Sequence, residues 1–191
     1  MKLSTLTLSV FAAGTLTLSS GCTMLDRSTS TAARDGTMQT TQLQLNRVDE
    51  NFLENAAQSG HAEIEGSRLA LTKARSAEVK DFAQQMIQDH SAVNRELMAL
   101  AQQKGYMPPT EPSVMQQAEL KTLNVTDDSF DRLYASRIGV AAHESAVKLF
   151  REASFEAVDP DVRAFATKTL PALEQHLEMA RSLQQSVSRN Q

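Results

Sequence analysis

Four ionisable side chains stand where a helical pattern calls for apolar residues. Glu63, His90, His143 and His176 each fall on the inward stripe of a different predicted helix, near its middle. Burying an ionisable group among apolar side chains is unfavourable unless the group finds a partner. Three imidazoles and one carboxylate at one height would either satisfy one another or hold a single Zn, Fe, Mn or Ni ion. The pattern therefore predicts a mononuclear metal site or a hydrogen-bonded polar core.

Other polar residues near these positions are given supporting roles. Asp89 adjoins His90, and Tyr134 lies on the predicted helix of His143, so both are expected to support the four residues from outside. The remaining histidine, His61, falls off the stripe and is expected to face solvent. The sequence contains no Ser–His–Asp spacing, no phosphate-binding loop and no reactive cysteine, so no catalytic residue is predicted.

Four long helices are needed to position these side chains. A glycine after the second helix, Gly105, and a cap followed by proline before the fourth, Asp159-Pro160, mark two of their boundaries. The predicted ranges are about 48–74, 76–104, 127–153 and 159 onward. The inward stripe predicted for the third helix is Leu133, Ser136, Val140, His143, Val147 and Phe150.

The connections between these helices predict the topology. One or two residues join the first two helices, and a short turn near 156–159 joins the last two, so each pair should form an antiparallel hairpin. The segment 105–125 between the pairs, with a short helix predicted near 114–123, is long enough to cross a bundle of about 40 Å. The predicted fold is all-α: a ferritin-like four-helix bundle with two antiparallel hairpins joined by a long crossover.

Composition agrees with a helical domain and argues against one class of partner. Hydrophobic residues make up 41% of the chain, aromatic residues only 5%, and tryptophan is absent. The net charge is −4, and the sequence has no basic cluster or aromatic ladder. Nucleic acid is therefore not expected as a partner.

The first 22 residues have the pattern of an export signal. Met1-Lys2 is a short basic start, an apolar run thinned by Ser and Thr follows, and Ser20-Gly21 precede Cys22, the only cysteine. This arrangement resembles the bacterial lipoprotein processing site, although Ser19 stands where that site usually has Leu. The resemblance implies that residues 1–21 are removed and that lipidated Cys22 anchors the protein to the membrane.

The segment after the cysteine predicts a tether. Residues 22–44 are rich in Ser and Thr and lack apolar periodicity, whereas residues 45–188 carry the helical domain. Thr23 follows the cysteine where Asp would favour retention at the inner membrane. By resemblance to the sorting rules for lipoproteins, the expected location is the outer membrane, facing the periplasm.

The residues also resemble one protein family. The second predicted helix carries Val79-Lys80-Asp81-Phe82-Ala83 and Asp89-His90, and the later helices carry His143 and His176 at matching spacing. Over about residues 46–185 this pattern is similar to domain of unknown function 4142. The resemblance implies an exported, ferritin-like protein of the kind described as predicted outer-membrane proteins. It implies no particular activity.

Several functions remain open from the sequence. The positions three before His90, His143 and His176 are Ile87, Val140 and Leu173, so the Glu-x-x-His motif of carboxylate-bridged di-iron sites is missing. The favoured hypothesis is a non-enzymatic envelope lipoprotein that binds a metal or a protein partner, with a role in envelope stress tolerance. The alternatives are a mononuclear metalloenzyme or redox-protective protein using the same residues, and a metal-free scaffold or interaction bundle. The sequence identifies neither the metal nor a protein partner.

Overall fold

Helices make up every regular element of the described chain. The structure, a computed structural model, describes residues 45–124 and 128–189. The predicted signal peptide, Cys22 and the tether lie outside these residues. None of the helices within them is both long enough and apolar enough to span a membrane. The elements are α1 (Arg47–Lys73), α2 (Ala77–Gln103), α3 (Val114–Asn124), α4 (Phe130–Tyr134), a π-helical segment (Ala135–Ala141), α5 (Ala142–Glu156) and α6 (Pro160–Arg189).

Local sequence signals set several helix ends. The Asn46 side chain accepts hydrogen bonds from the backbone N–H groups of Val48 and Asp49 at the start of α1. Asp159 does the same for the first turn of α6, as its position before Pro160 predicted. Gly105 follows α2 with a φ of 73°, a left-handed conformation that glycine adopts without steric strain.

Contacts at the two ends of the bundle give the helix directions. At one end, the Asp49 carboxylate of α1 accepts from the N–H of Val158, and Lys104 after α2 pairs with Asp159. At the other end, Asp131 of α4 accepts from the N–H of Ser76, between α1 and α2. Thus α1 and α2 are antiparallel, as are α5 and α6, and the connection from α2 to α4 runs the length of the molecule. The predicted all-helical bundle is confirmed.

The third long helix departs from the predicted stripe because it contains a π-helical segment. Ala142 N–H bonds to the carbonyl of Arg137, five residues back instead of four. The extra residue turns the earlier part of the helix, so the predicted inward positions Leu133, Ser136 and Val140 are only half-buried. The positions that are buried there instead are Phe130, Tyr134, Ala135, Ile138 and Gly139.

Two apolar cores fill the bundle, one towards each end. Near the α5–α6 turn, the ring of Phe52 packs edge to face against those of Phe150 and Phe165, which are tilted towards each other, with centroids 5.0–6.3 Å apart. Near the α1–α2 turn, the second core includes Phe82 and Tyr134. Along the chain, Glu63, His90 and His143 each lie between residues of one core and residues of the other. On α6, His176 lies at the edge of the first core, beside Leu177, and the second core follows from Ala180. The polar group is therefore a layer between two apolar cores.

Candidate metal centre

Four helices each contribute one buried polar side chain to the middle of the bundle. Glu63 comes from α1, His90 from α2, His143 from α5 and His176 from α6. None of the four is more than 4% exposed to solvent. The structure thus brings together all four residues that the sequence singled out. The nearest ring nitrogens of the three histidines lie within 4.8 Å of one another.

Glu63 links the helix pairs through two of the imidazoles. Its Oε2 atom lies 2.6 Å from His90 Nε2 and 3.4 Å from His143 Nε2, and the two nitrogens are 3.3 Å apart. Its other oxygen accepts a hydrogen bond of 3.2 Å from the Ser59 hydroxyl, one turn earlier on α1. The close ion contact at Oε2 lacks the alignment of a well-formed hydrogen bond, so this buried oxygen keeps unused acceptor capacity.

The π-helical segment orients His143. Its Nδ1 atom lies 2.7 Å from the carbonyl oxygen of Gly139 and 3.2 Å from that of Ile138. A carbonyl only accepts, so Nδ1 carries the proton and donates it. In the neutral imidazole the lone pair is then on Nε2, the atom that faces Glu63 and His90. A metal ligand needs a nitrogen in this state.

His176 is oriented from the α2 side. Its Nε2 atom lies 3.0 Å from Oδ2 of Asp89, which is the residue before His90. When Nε2–H donates to this carboxylate, Nδ1 holds the lone pair. Nδ1 is buried and has no hydrogen-bond partner in the described part of the chain. A buried acceptor without a donor is unfavourable, and a cation would satisfy it.

The charges of the centre are coupled. Burial alone would raise the pKa of Glu63, but the His143 and His90 rings outweigh it and lower the pKa to about 2. Burial lowers the pKa of His90, and the Glu63 carboxylate reverses this, so the pKa is raised. Burial and the two neighbouring imidazoles lower the pKa of His176, which Asp89 opposes only in part. The surroundings therefore favour the charged form of Glu63, the protonated form of His90 and the neutral form of His176.

Two distances in the centre match the edge of a small tetrahedral ion. Metal–ligand bonds of about 2.0–2.1 Å place neighbouring ligand atoms about 3.3–3.4 Å apart. The separations of His143 Nε2 from His90 Nε2 and from Glu63 Oε2, 3.3 and 3.4 Å, match that edge. The contact between His90 and Glu63 would have to lengthen by about 0.7 Å. The buried His176 Nδ1 has no hydrogen-bond partner in the described part of the chain, and a bound ion would supply one.

The supporting residues differ in how they relate to the centre. Asp89 contacts His176 directly, whereas the hydroxyl of Tyr134 lies 2.9 Å from that of Ser67, a residue the sequence reading gave no role. Tyr134 therefore hydrogen-bonds to α1 and not to a histidine of the centre. His61 is half-buried and not fully solvent-facing as expected, and burial lowers its pKa. It is not among the histidines of the centre.

A comparison with protein families places the chain. The sequence model described as "Domain of unknown function (DUF4142)" matches residues 34–183. The chain belongs to this family. The resemblance predicted from the sequence is therefore confirmed, and the DUF4142 match includes all four residues of the centre. No curated protein matches the sequence.

Solved structures of similar fold include one protein in metal-bound forms. A crystal structure of a DUF305 fragment from Deinococcus radiodurans has a TM-score of 0.65 at 14% identity, covering 75% of this chain and 99% of that one. CopM in its Cu(I)-bound form has a TM-score of 0.62 at 22% identity, covering 72% and 96%. CopM in its Cu(II)-bound form has a TM-score of 0.61 at 19% identity, with the same coverage. At these identities the likeness establishes a shared helical fold.

Proposed function

We propose that this DUF4142 protein is an envelope lipoprotein whose bundle binds one transition-metal ion through Glu63, His90, His143 and His176. The observation that carries the proposal is the convergence of three buried imidazoles from three helices, with nitrogens within 4.8 Å of one another. Glu63 adds a carboxylate oxygen 3.4 Å from His143 Nε2. A ligand set of one carboxylate and three imidazoles suits a metal ion that is borderline between hard and soft.

The surroundings of the centre support binding over catalysis. All four residues are at most 4% exposed, and two apolar cores enclose them, so a bound ion would have little room for a substrate. Holding a metal ion in a closed site would serve tolerance of metal stress in the envelope. We further propose the ferritin-like arrangement for the bundle, supported by its two antiparallel pairs and the long connection between them.

Copper is the first ion to test. CopM, which shares the fold, has been captured with Cu(I) and with Cu(II). Among divalent first-row metals, sites built from nitrogen and oxygen ligands bind Cu(II) most tightly, with Zn(II) among the nearest competitors. A comparison of Cu, Zn, Fe and Mn under equal conditions would therefore identify the preferred ion.

The deciding experiment is metal content by elemental mass spectrometry. The protein is purified without a metal-affinity column, stripped with chelator and incubated with each ion separately. We expect about one equivalent of one preferred metal in the wild type, and loss of that metal in the His90→Ala, His143→Ala and His176→Ala variants. His61→Ala is the matched control, because His61 lies on α1 close to Glu63 but outside the centre.

Two results would contradict the metal site. One is the absence of a stoichiometric metal from the wild type after incubation with all four ions. The other is an unchanged metal content in His143→Ala while circular dichroism shows the helices intact. Either result would leave a hydrogen-bonded polar core, whose role would be to fix the register of the helices.

The envelope location has its own test. We propose that Cys22 is acylated and that the protein faces the periplasm from the outer membrane. Mass spectrometry of the protein extracted from membranes should show an N-terminal peptide that begins at Cys22 and carries acyl chains. A Cys22→Ser variant should move to the soluble fraction. A peptide that begins elsewhere, or an unmodified Cys22, would contradict the anchor.

A further inference from the structure

Three of the exposed apolar side chains of the described residues lie at one end of the bundle; the others, Met107, Val114 and Met115, lie before and at the start of α3. Phe155, in the last turn of α5, is 80% exposed, and Val158, in the turn that follows, is 64% exposed. Val48 in the first turn of α1 is 51% exposed and precedes Asp49, whose carboxylate accepts a hydrogen bond from the N–H of Val158. These three residues form what we call the apolar end. Exposed apolar groups concentrated in one place mark a surface for a partner or a membrane.

The described chain also begins at this end. Leu45 is buried in the same core as Ala157 and Val162, next to the α5–α6 turn. Leu45 thus places the first described residue near the apolar end. The segment 23–44 is rich in Ser and Thr and has few apolar residues, so its composition is poorly suited to covering an apolar surface.

We propose that the apolar end rests on the membrane surface, with Phe155 and Val158 entering the boundary between headgroups and acyl chains. The inference rests on the proposed anchor at Cys22, which would hold the domain within reach of a bilayer. An acyl anchor restricts the protein to the membrane, so even a small apolar contact is made repeatedly and sets an orientation. The bundle would then stand on its end.

Two basic residues near this end already have acidic partners. Lys104 already pairs with Asp159 and Asp161, and Arg151 pairs with Glu174. Contact should therefore depend on apolar insertion and little on anionic headgroups. With the bundle on end, Glu63 would lie about 21 Å above the first turn of α1 and clear of the lipid.

The absence of tryptophan from the chain gives a direct test. Full-length lipidated protein carrying Phe155→Trp is reconstituted in phosphatidylethanolamine–phosphatidylcholine vesicles with or without brominated acyl chains. Met115→Trp is the matched control, because Met115 is also 80% exposed but lies near the start of α3. We expect a blue-shifted emission and about twofold quenching by brominated lipid for Phe155→Trp, and little quenching for Met115→Trp.

The possible outcomes separate this inference from the proposed function. Equal quenching of the two variants, or none in either, would overturn the apolar end as the membrane contact. A blue shift without quenching would show that protein covers this end, and would overturn it as well. Adding Val158→Asp to Phe155→Trp should abolish the quenching. Acylation of Cys22 and metal content are read by mass spectrometry on the same samples, so failure of the anchor or of the metal site is recognised independently.

Discussion

The Nδ1 atom of His143 lies 2.7 Å from the carbonyl oxygen of Gly139, where the π-helical segment gives way to α5. When the pairing returns from five residues to four, one carbonyl of the helix is left without a backbone N–H. The imidazole donates its proton at this junction and turns the lone pair of Nε2 towards Glu63 and His90. A local change of helix geometry thus selects which of the two ring nitrogens of His143 carries the proton in the buried centre.

Removing the Asp89 carboxylate should weaken metal binding but leave the centre assembled. Asp89 holds His176 through a contact of 3.0 Å and is 38% exposed, so its replacement changes orientation more than packing. Loss of such an orienting partner typically lowers metal affinity about 10–100-fold. A competitive titration with a chromogenic chelator would measure the affinity of Asp89→Ala. Asp81→Ala, an exposed carboxylate on the same helix, should match the wild type. Equal affinities for both variants would contradict this role.

Tyr134 should matter for stability and not for metal content. The change Tyr134→Phe leaves the buried Ser67 hydroxyl without its 2.9 Å partner. A buried polar group without a partner lowers the free energy of unfolding by about 1–3 kcal/mol. Urea unfolding of the metal-free protein would measure the loss, and Tyr106→Phe, at a partly buried tyrosine, serves for comparison. Loss of metal from Tyr134→Phe without a change in stability would show that the tyrosine acts on the centre instead.

Gly60 should tolerate no side chain unless Asn94 is shortened too. A Cβ atom at Gly60 would lie 2.1 Å from Oδ1 of Asn94, a residue only 7% exposed. Gly60→Ala should therefore lower the free energy of unfolding by about 1–3 kcal/mol through overpacking. Adding Asn94→Ala should restore part of it. A double-mutant cycle from thermal or urea unfolding gives the coupling, and strictly additive effects would contradict the close contact.

The charge of Asp159 should contribute stability that acid removes. Burial would raise the pKa of Asp159, but hydrogen bonds from Lys104 and from the N–H groups of Val162 and Asp161 lower it below its ordinary value of 3.8. A depressed pKa adds stability that is present above the unfolded value and is lost as the pH falls through the folded one. Asp159→Asn keeps the capping oxygen but not the charge.

The difference in unfolding free energy between the wild type and Asp159→Asn should therefore be largest near neutral pH. It should shrink as the pH drops below about 4. Urea unfolding at a series of pH values would measure this difference and cancel the titration of other groups. A difference that stays constant from pH 7 to pH 3 would show that the charge contributes nothing.

Much of the fold could be predicted because local patterns and packing agree. Asp159-Pro160 predicted the start of α6, and Gly105 marked the end of α2. Glu63 and His90 could be placed face to face because the short turn between α1 and α2 fixes the register of that pair. Because the helices are regular, the number of residues between a side chain and the turn gives its height along the bundle.

The π-helical segment could not be predicted from the regular helical pattern of the third long helix. A stripe drawn at steps of three and four from His143 passes through Val140 and Ser136, which are half-buried. The buried residues Tyr134 and Ile138 are four apart, and His143 follows Ile138 after five, with the small buried Gly139 between them. The sequence alone does not show which of these positions faces the core. Contacts between distant residues, such as Ser67 with Tyr134, depend on this rotation and leave no trace in either helix alone.

The Asp49 carboxylate is fully buried and accepts from the N–H groups of Val158 and Asp159, 109 and 110 positions further along the chain. A ribosome makes α1 long before it makes these partners. Until residue 159 has been added, this carboxylate has only the Asn46 side chain, which donates to its Oδ2, and water as partners. Its burial at this end of the bundle waits for the two later N–H groups. One buried acid thus makes the completion of the fold depend on the arrival of its last helix.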